Sequence, residues 1–244
     1  ELNGATGEGD TLSVDNTGDI TVNTVASTAT AKKAGTSTAT ADSNNNVVTA
    51  NSATGAFTMT IGANTVADGT YSANKATSAS LTIESALDSD DAELTKAGEN
   101  FAFNANKATS VSVVANGTID GEVASTDASS FTFESTGAFT STVLDFDKAT
   151  SGEITTAKEG TLVVQAEKAE VMSITAGEKA LTVTNTTTAL QELSVTTGAA
   201  FQIGDLADIA VINVGGSETA SKATFGNLGD GTNDYDMTIT ATGL

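Results

Sequence analysis

Four oxygen-bearing side chains fall within one short stretch of the sequence, "GDGTNDYDMT" at 229–238. They are Asp230, Asn233, Asp234 and Asp236. Ca²⁺ takes about six to eight oxygen ligands from such loops, and the two flanking glycines allow the backbone to wrap tightly. The spacing does not follow the EF-hand pattern. The stretch predicts a calcium site, with a solvated acidic turn as the alternative.

A second acidic stretch, "LDSDDAE" at 87–93, contains a weaker set of possible Ca²⁺ ligands. These are Asp88, Asp90, Asp91 and Glu93. The calcium-binding repeat G-G-x-G-x-D accompanies neither stretch. We therefore expect single calcium sites and not an array of them.

The residue types that carry most catalysis are missing from the sequence. It contains no His and no Cys, and all ten of its basic residues are lysines. This removes the usual general base, the thiol nucleophile and the bidentate arginine clamp. Paired carboxylates are inevitable among 31 acidic residues, but the two Tyr and the absence of Trp leave little to position a sugar. We predict that the protein is not an enzyme.

The charge of the chain limits its partners. A formal net charge of −21 disfavours binding to nucleic acid and to anionic membrane surfaces. No apolar run approaches the length of a membrane span. Because the chain opens at Glu1 without Met, we interpret it as a processed or excised segment. The composition fits a secreted, cell-surface protein that attracts cations.

Short alternating apolar runs indicate an all-β protein. The 44 threonines, together with Val and Ile, favour strands. In the second half of the chain the runs recur about every ten residues, which is typical of a β-array. They lie at 153–156, 161–165, 171–175, 180–184, 192–196, 200–204 and 209–214.

The lysines follow the same interval. Lys148, Lys158, Lys168 and Lys179 are separated by 10, 10 and 11 residues. A longer phrase recurs as "NKATSASL", "NKATSVSV" and "DKATSGEI", at Lys75, Lys107 and Lys148. Self-similarity at a fixed period indicates a repeat architecture. We interpret the lysines as solvated corner residues, with a binding ladder for acidic polysaccharide as the alternative.

Two folds accommodate a ten-residue unit of strand plus turn. An elongated parallel β-solenoid uses two strands per coil, whereas antiparallel β-sandwich modules use hairpins. Asn-Gly and Asp-Gly hairpin signals are absent from 150–214, so we favour the solenoid, most clearly for 105–225. It predicts Lys148 and Lys168 on one edge of the coil and Lys158 and Lys179 on the other. We divide the chain into a Thr/Asn/Ser-rich β module or cap at 1–72 and a β-repeat domain at 73–244.

The stretch "TALQELSVTTGAAFQIGDLADIAVINVGGSE" at 188–218 resembles bacterial surface-layer proteins and large secreted adhesins. In both, short Leu- or Val-bearing strands alternate with "TG", "GA" and "DL" corners. The matching residues are Leu190, Leu193, Val195, Gly198, Phe201, Ile203, Leu206, Ile209, Val211, Val214 and Gly215. The resemblance implies an exported protein that forms a lattice or stalk, often with Ca²⁺.

These observations lead to one expected function and two alternatives. We expect a structural subunit of a bacterial extracellular assembly (a surface layer, sheath or fibre) that contacts copies of itself and cell-surface polysaccharide. One alternative is the binding module of an adhesin or phage fibre that recognises glycan or a host surface. The other is the variable outer domain of a flagellin-like filament, for which helical flanking segments would be diagnostic.

Overall fold

The computed structural model describes residues 11–13, 20–24, 46–49, 54–62, 66–84, 96–216, 221–229 and 237–243. Within these ranges every regular element is a β-strand and none is a helix. The chain is therefore all-β, as its Thr, Val and Ile content predicts.

The strands belong alternately to two sheets, so that the chain crosses from one sheet to the other after almost every strand. The first sheet contains β1 (Thr11–Ser13), β3 (Asn46–Thr49), β5 (Val66–Ser72), β7 (Lys96–Asn104), β9 (Thr118–Ile119), β10 (Glu122–Ala124), β12 (Thr142–Asp145), β14 (Gly160–Gln165), β16 (Leu181–Asn185), β18 (Ala200–Ile203) and β20 (Lys222–Phe225). The second contains β2 (Ile20–Thr24), β4 (Ala56–Ile61), β6 (Ser78–Ile83), β8 (Ser110–Ala115), β11 (Ser130–Ser135), β13 (Ser151–Thr156), β15 (Val171–Ala176), β17 (Glu192–Thr197), β19 (Val211–Gly216) and β21 (Thr238–Thr242).

The chain winds as a parallel β-solenoid with one strand of each sheet in each coil. Every strand pairing within the described ranges is parallel, and each strand pairs with the strand of its sheet one coil away. Val111 lies opposite Phe131, and Phe131 opposite Gly152, so a regular coil takes 20 or 21 residues. This confirms the solenoid and excludes antiparallel sandwich modules for the described residues.

The core is a stack of apolar columns between the two sheets. Alternate residues of each strand point inwards and are buried, which is the period-2 pattern of a strand with one dry face. The middle column of the second sheet is Met59, Leu81, Val113, Phe133, Ile154, Ile174, Val195 and Val214. A thin layer repeated many times thus replaces one deep core.

One type of corner, the forward corner, leads from the first sheet to the second, and its geometry explains the recurring lysine phrase. In "ANKA" at 73–76 and 105–108, both outer alanines are buried while the lysine is exposed. The last alanine closes a tight turn, as Ala108 N donates a 2.8 Å hydrogen bond to Ala105 O. Only a small side chain fits inside this corner, and only a solvated one is favoured at its tip.

The corner lysines lie where the two-strand coil requires. Lys148 and Lys168 lie at forward corners, whereas Lys158 and Lys179 lie at the opposite corners, the return corners. This confirms the predicted split between the two edges. Lys96 and Lys222 are different, because each is the first residue of a strand and not a turn residue.

The predicted strands agree closely with those of the structure, whereas the predicted domain boundary stays a prediction. The apolar run at 192–196 lies in β17, and the run at 209–214 overlaps β19 with an offset of two residues. Across residue 72 the first sheet is continuous, since β5 pairs with both β3 and β7.

Candidate functional site

The forward corners bring three charged side chains together across three successive coils. Lys107 and Lys148 each place Nζ 2.6 Å from a different carboxylate oxygen of Asp127. All three occupy the same position of their turns, so the stacking of coils aligns them. Asp127 is 23% exposed, and the lysines are 64% and 66% exposed. We call this set the corner triad.

The corner triad changes the acidity of its central carboxylate. Hydrogen bonds from Lys107 and then Lys148 lower the pKa of Asp127 from its ordinary 3.8 to about 2, and the charges of both lysines add to this effect. Asp127 is therefore fully ionised at neutral pH. Without Asp127, the two lysines would lose the carboxylate that lies between them.

Replacing Asp127 by Asn is expected to lower the melting temperature at pH 7 and low salt by about 1–3 °C. Because the pKa of Asp127 is lower in the folded state, its contribution is complete above pH 3.8 and disappears as the pH falls through about 2. Thermal unfolding of both proteins at pH 7, at pH 2 and in 1 M salt measures this. A deficit at pH 2 as large as the one at pH 7 would show that packing, and not charge, is involved.

A ladder of hydroxyl groups runs beside the corner triad. Ser129 Oγ donates to Thr109 O at 3.0 Å, and Thr150 Oγ1 donates to Ser129 O at 3.2 Å. The backbone N–H groups of the same residues donate to the same carbonyls. These two forward corners are therefore each tied to the one before by two hydrogen bonds, which explains why "KATS" and "DASS" occupy equivalent positions within this chain.

Carboxylates also gather where the first sheet enters a forward corner. Partial burial raises the pKa of Asp145, and the neighbouring charges of Asp147 and Glu122 raise it further. Glu167, one coil away, adds a smaller effect. Repulsion among these groups makes this part of the surface costly to keep fully ionised.

Asp145→Asn is therefore expected to stabilise the protein at pH 7. The pKa of Asp145 is raised in the folded state, so the wild-type protein loses stability as the pH rises from 3.8 through that raised value. We expect a melting temperature about 1–3 °C above wild type at pH 7 and no gain at pH 3. Glu170→Gln, a control at an exposed carboxylate of the next forward corner, tests whether any lost negative charge has the same effect.

The outer face of the second sheet is lined mainly by short hydroxyl side chains. Its middle outward column is Thr58, Ser80, Ser112, Thr132, Glu153, Ser173, Ser194, Asn213 and Thr240. Neighbours in this column contact one another, as Thr132 Oγ1 donates to Ser112 Oγ at 3.0 Å. The face is consequently polar and lined by short side chains.

Two glutamates interrupt this face beside a shallow groove of about 220 Å³. Glu134 and Glu153 lie on adjacent strands, and each is exposed. Ser112, Val114, Thr132 and Thr155 complete the outward lining of the groove. We call this feature the acidic groove. Its lining contains no lysine, so neither carboxylate has a counter-charge within it.

The buried carboxylate of Asp120 has a structural role at a return corner. Its side chain is 8% exposed, and its Oδ1 accepts hydrogen bonds from Thr140 N at 2.8 Å and Thr140 Oγ1 at 2.7 Å. These bonds join one return corner to the next and compensate for burial of the charge.

The two calcium candidates fall outside the described ranges. Asp230, Asn233, Asp234 and Asp236, as well as Asp88, Asp90, Asp91 and Glu93, are not among the residues the structure describes. Within the described ranges, no group of three or more Asp, Glu, His or Cys side chains could hold a metal ion. Calcium binding stays a prediction for both stretches.

Sequence reasoning missed the corner triad and the acidic groove. A signal for the first exists, because "STDAS" at 125–129 aligns with the lysine phrase and has Asp127 where lysine stands in the other copies. The signal for the second is that Glu134 and Glu153 alternate with buried residues in "SFTFES" and "SGEITT". That pattern places both on the outer face.

Fold and surface together define a β-solenoid with polar, acid-rich edges and one face lined mainly by hydroxyl side chains. Comparison with protein-family models, with curated proteins and with solved structures finds no match for this chain. Among the described residues, no helix has the length and apolar character needed to cross a membrane.

Proposed function

We propose that the chain is a structural subunit of a bacterial extracellular assembly, such as a surface layer, sheath or fibre. The supporting observation is the continuous parallel pairing of both sheets from coil to coil, which makes the described chain a rod of stacked coils. The side chains repeat from coil to coil: apolar columns fill the interior, short hydroxyl side chains line one outer face, and charged side chains lie at the corners. A rod of this kind provides length and stiffness.

Assembly, in this proposal, combines direct contacts between copies with neutralisation of acidic loops by Ca²⁺. A net charge of −21 makes copies repel each other. Divalent cations bound by the stretches at 87–93 and 229–238 would reduce this repulsion. Cell-surface polysaccharide is the partner we propose for anchoring the assembly at the cell exterior.

The adhesin alternative has less support, because the aromatic side chains that usually stack on sugars are inside the protein. Eight of the nine phenylalanines are buried, and Phe225 packs partly buried against the same core. Tyr71 is fully buried, and Tyr235 lies outside the described ranges. For the flagellin-like alternative, the described residues offer no helical segment.

Electron microscopy and sedimentation of the purified chain, with Ca²⁺ and with chelator, test the proposal. We expect ordered sheets or filaments with Ca²⁺ and smaller species after chelation. A strict monomer under both conditions would contradict the assembly.

Paired variants assign the cation effect to one of the two stretches. Asp234→Asn with Asp236→Asn should abolish the Ca²⁺ response if 229–238 binds the ion, and Asp88→Asn with Asp90→Asn serves as the matched pair at the other stretch. Calorimetric titration of each pair with CaCl₂ measures binding separately from assembly. Full Ca²⁺ binding by both pairs would show that the ligands lie elsewhere.

A further inference from the structure

We draw no further inference here: the strongest candidate, the apolar end of the last described coil (β20 and β21), where Met237 and Ile239 are exposed and Phe225 is only partly buried, carries none because nothing in the structure shows what covers it.

Discussion

Replacing Phe131 by Ala is expected to destabilise the protein by about 3–5 kcal/mol. The ring is 2% exposed and stacks on Phe146 with 4.7 Å between the ring centroids. It also fills the space above Gly152, which lies opposite Phe131 one coil further along. Truncation leaves a cavity that the rigid strands around it cannot close. Chemical denaturation monitored by far-UV circular dichroism measures the loss.

A double-mutant cycle tests whether the Phe131 ring and Gly152 are matched. A Cβ at Gly152 would lie 2.3 Å from the Phe131 ring, so Gly152→Ala alone should cost about 1–3 kcal/mol. In the Phe131→Ala background the added methyl enters the cavity instead, and most of its cost should disappear. Strictly additive effects would contradict the packing we describe.

Replacing Gly137 by Ala is expected to cost about 3 kcal/mol and to disturb the return corners locally. A Cβ there would lie 2.0 Å from the carbonyl oxygen of Gly117, one coil earlier. The backbone at Gly117 and Gly137 cannot move aside as a flexible side chain can. Gly117 N donates a hydrogen bond to Ile83 O, and Gly137 N donates one to Ala115 O. Thermal unfolding, with hydrogen exchange to locate the disturbance, measures both effects.

Gly215→Ala is the matched control for this prediction. Its added Cβ would meet neighbouring atoms only at 3.7–4.0 Å, an ordinary contact distance. We expect it to be neutral or slightly stabilising, since it restricts the unfolded chain. Equal destabilisation by both substitutions would indicate that loss of glycine itself, and not the close approach of coils, is responsible.

The repeat could be predicted from sequence because each coil repeats the same physical demands. Where the lysine phrase occurs, a buried alanine, an exposed lysine and a hydroxyl that reaches the previous coil recur together at the forward corner. Lys148, Lys158, Lys168 and Lys179 lie at successive corners, forward and return in turn, so their spacing equals the length of one strand plus one corner. The absence of hairpin dipeptides from 150–214 was informative too, since parallel coils need open corners and not tight two-residue turns.

The turn dipeptides elsewhere show where local signals fail. Asp68-Gly69 lies within β5 at an irregularity of pairing, where Gly69 has φ of 99°, and not in a hairpin. Asn116-Gly117 forms a corner after β8. Both dipeptides supply unusual backbone geometry, but the sequence does not say whether the following strand turns back or crosses to the other sheet.

The surface pairs were harder to predict than the repeat, because they depend on the exact length of each coil. Glu159, Glu167 and Glu178 adjoin lysines in sequence, yet the corner triad joins residues 20 and 21 positions apart. A change of one residue in coil length would place Asp127 beside a different neighbour. The same holds for Glu134 and Glu153, which become neighbours only once the register of β11 and β13 is known.

Disulfide trapping tests the central claim, a parallel coil of 20 or 21 residues, most directly. The chain has no native cysteine, so any disulfide bond that forms must join the two introduced cysteines. Ser112→Cys with Thr132→Cys joins positions that are opposite in register and whose hydroxyls are 3.0 Å apart. Adjacent strands about 4.8 Å apart permit a disulfide.

We predict rapid oxidation of this pair within one chain, with native stability retained. Ser112→Cys with Glu153→Cys, two strands apart at about 9.6 Å, should stay reduced. Rapid cross-linking of the distant pair, or failure of the adjacent one in folded protein, would contradict the coil register and the rod built on it.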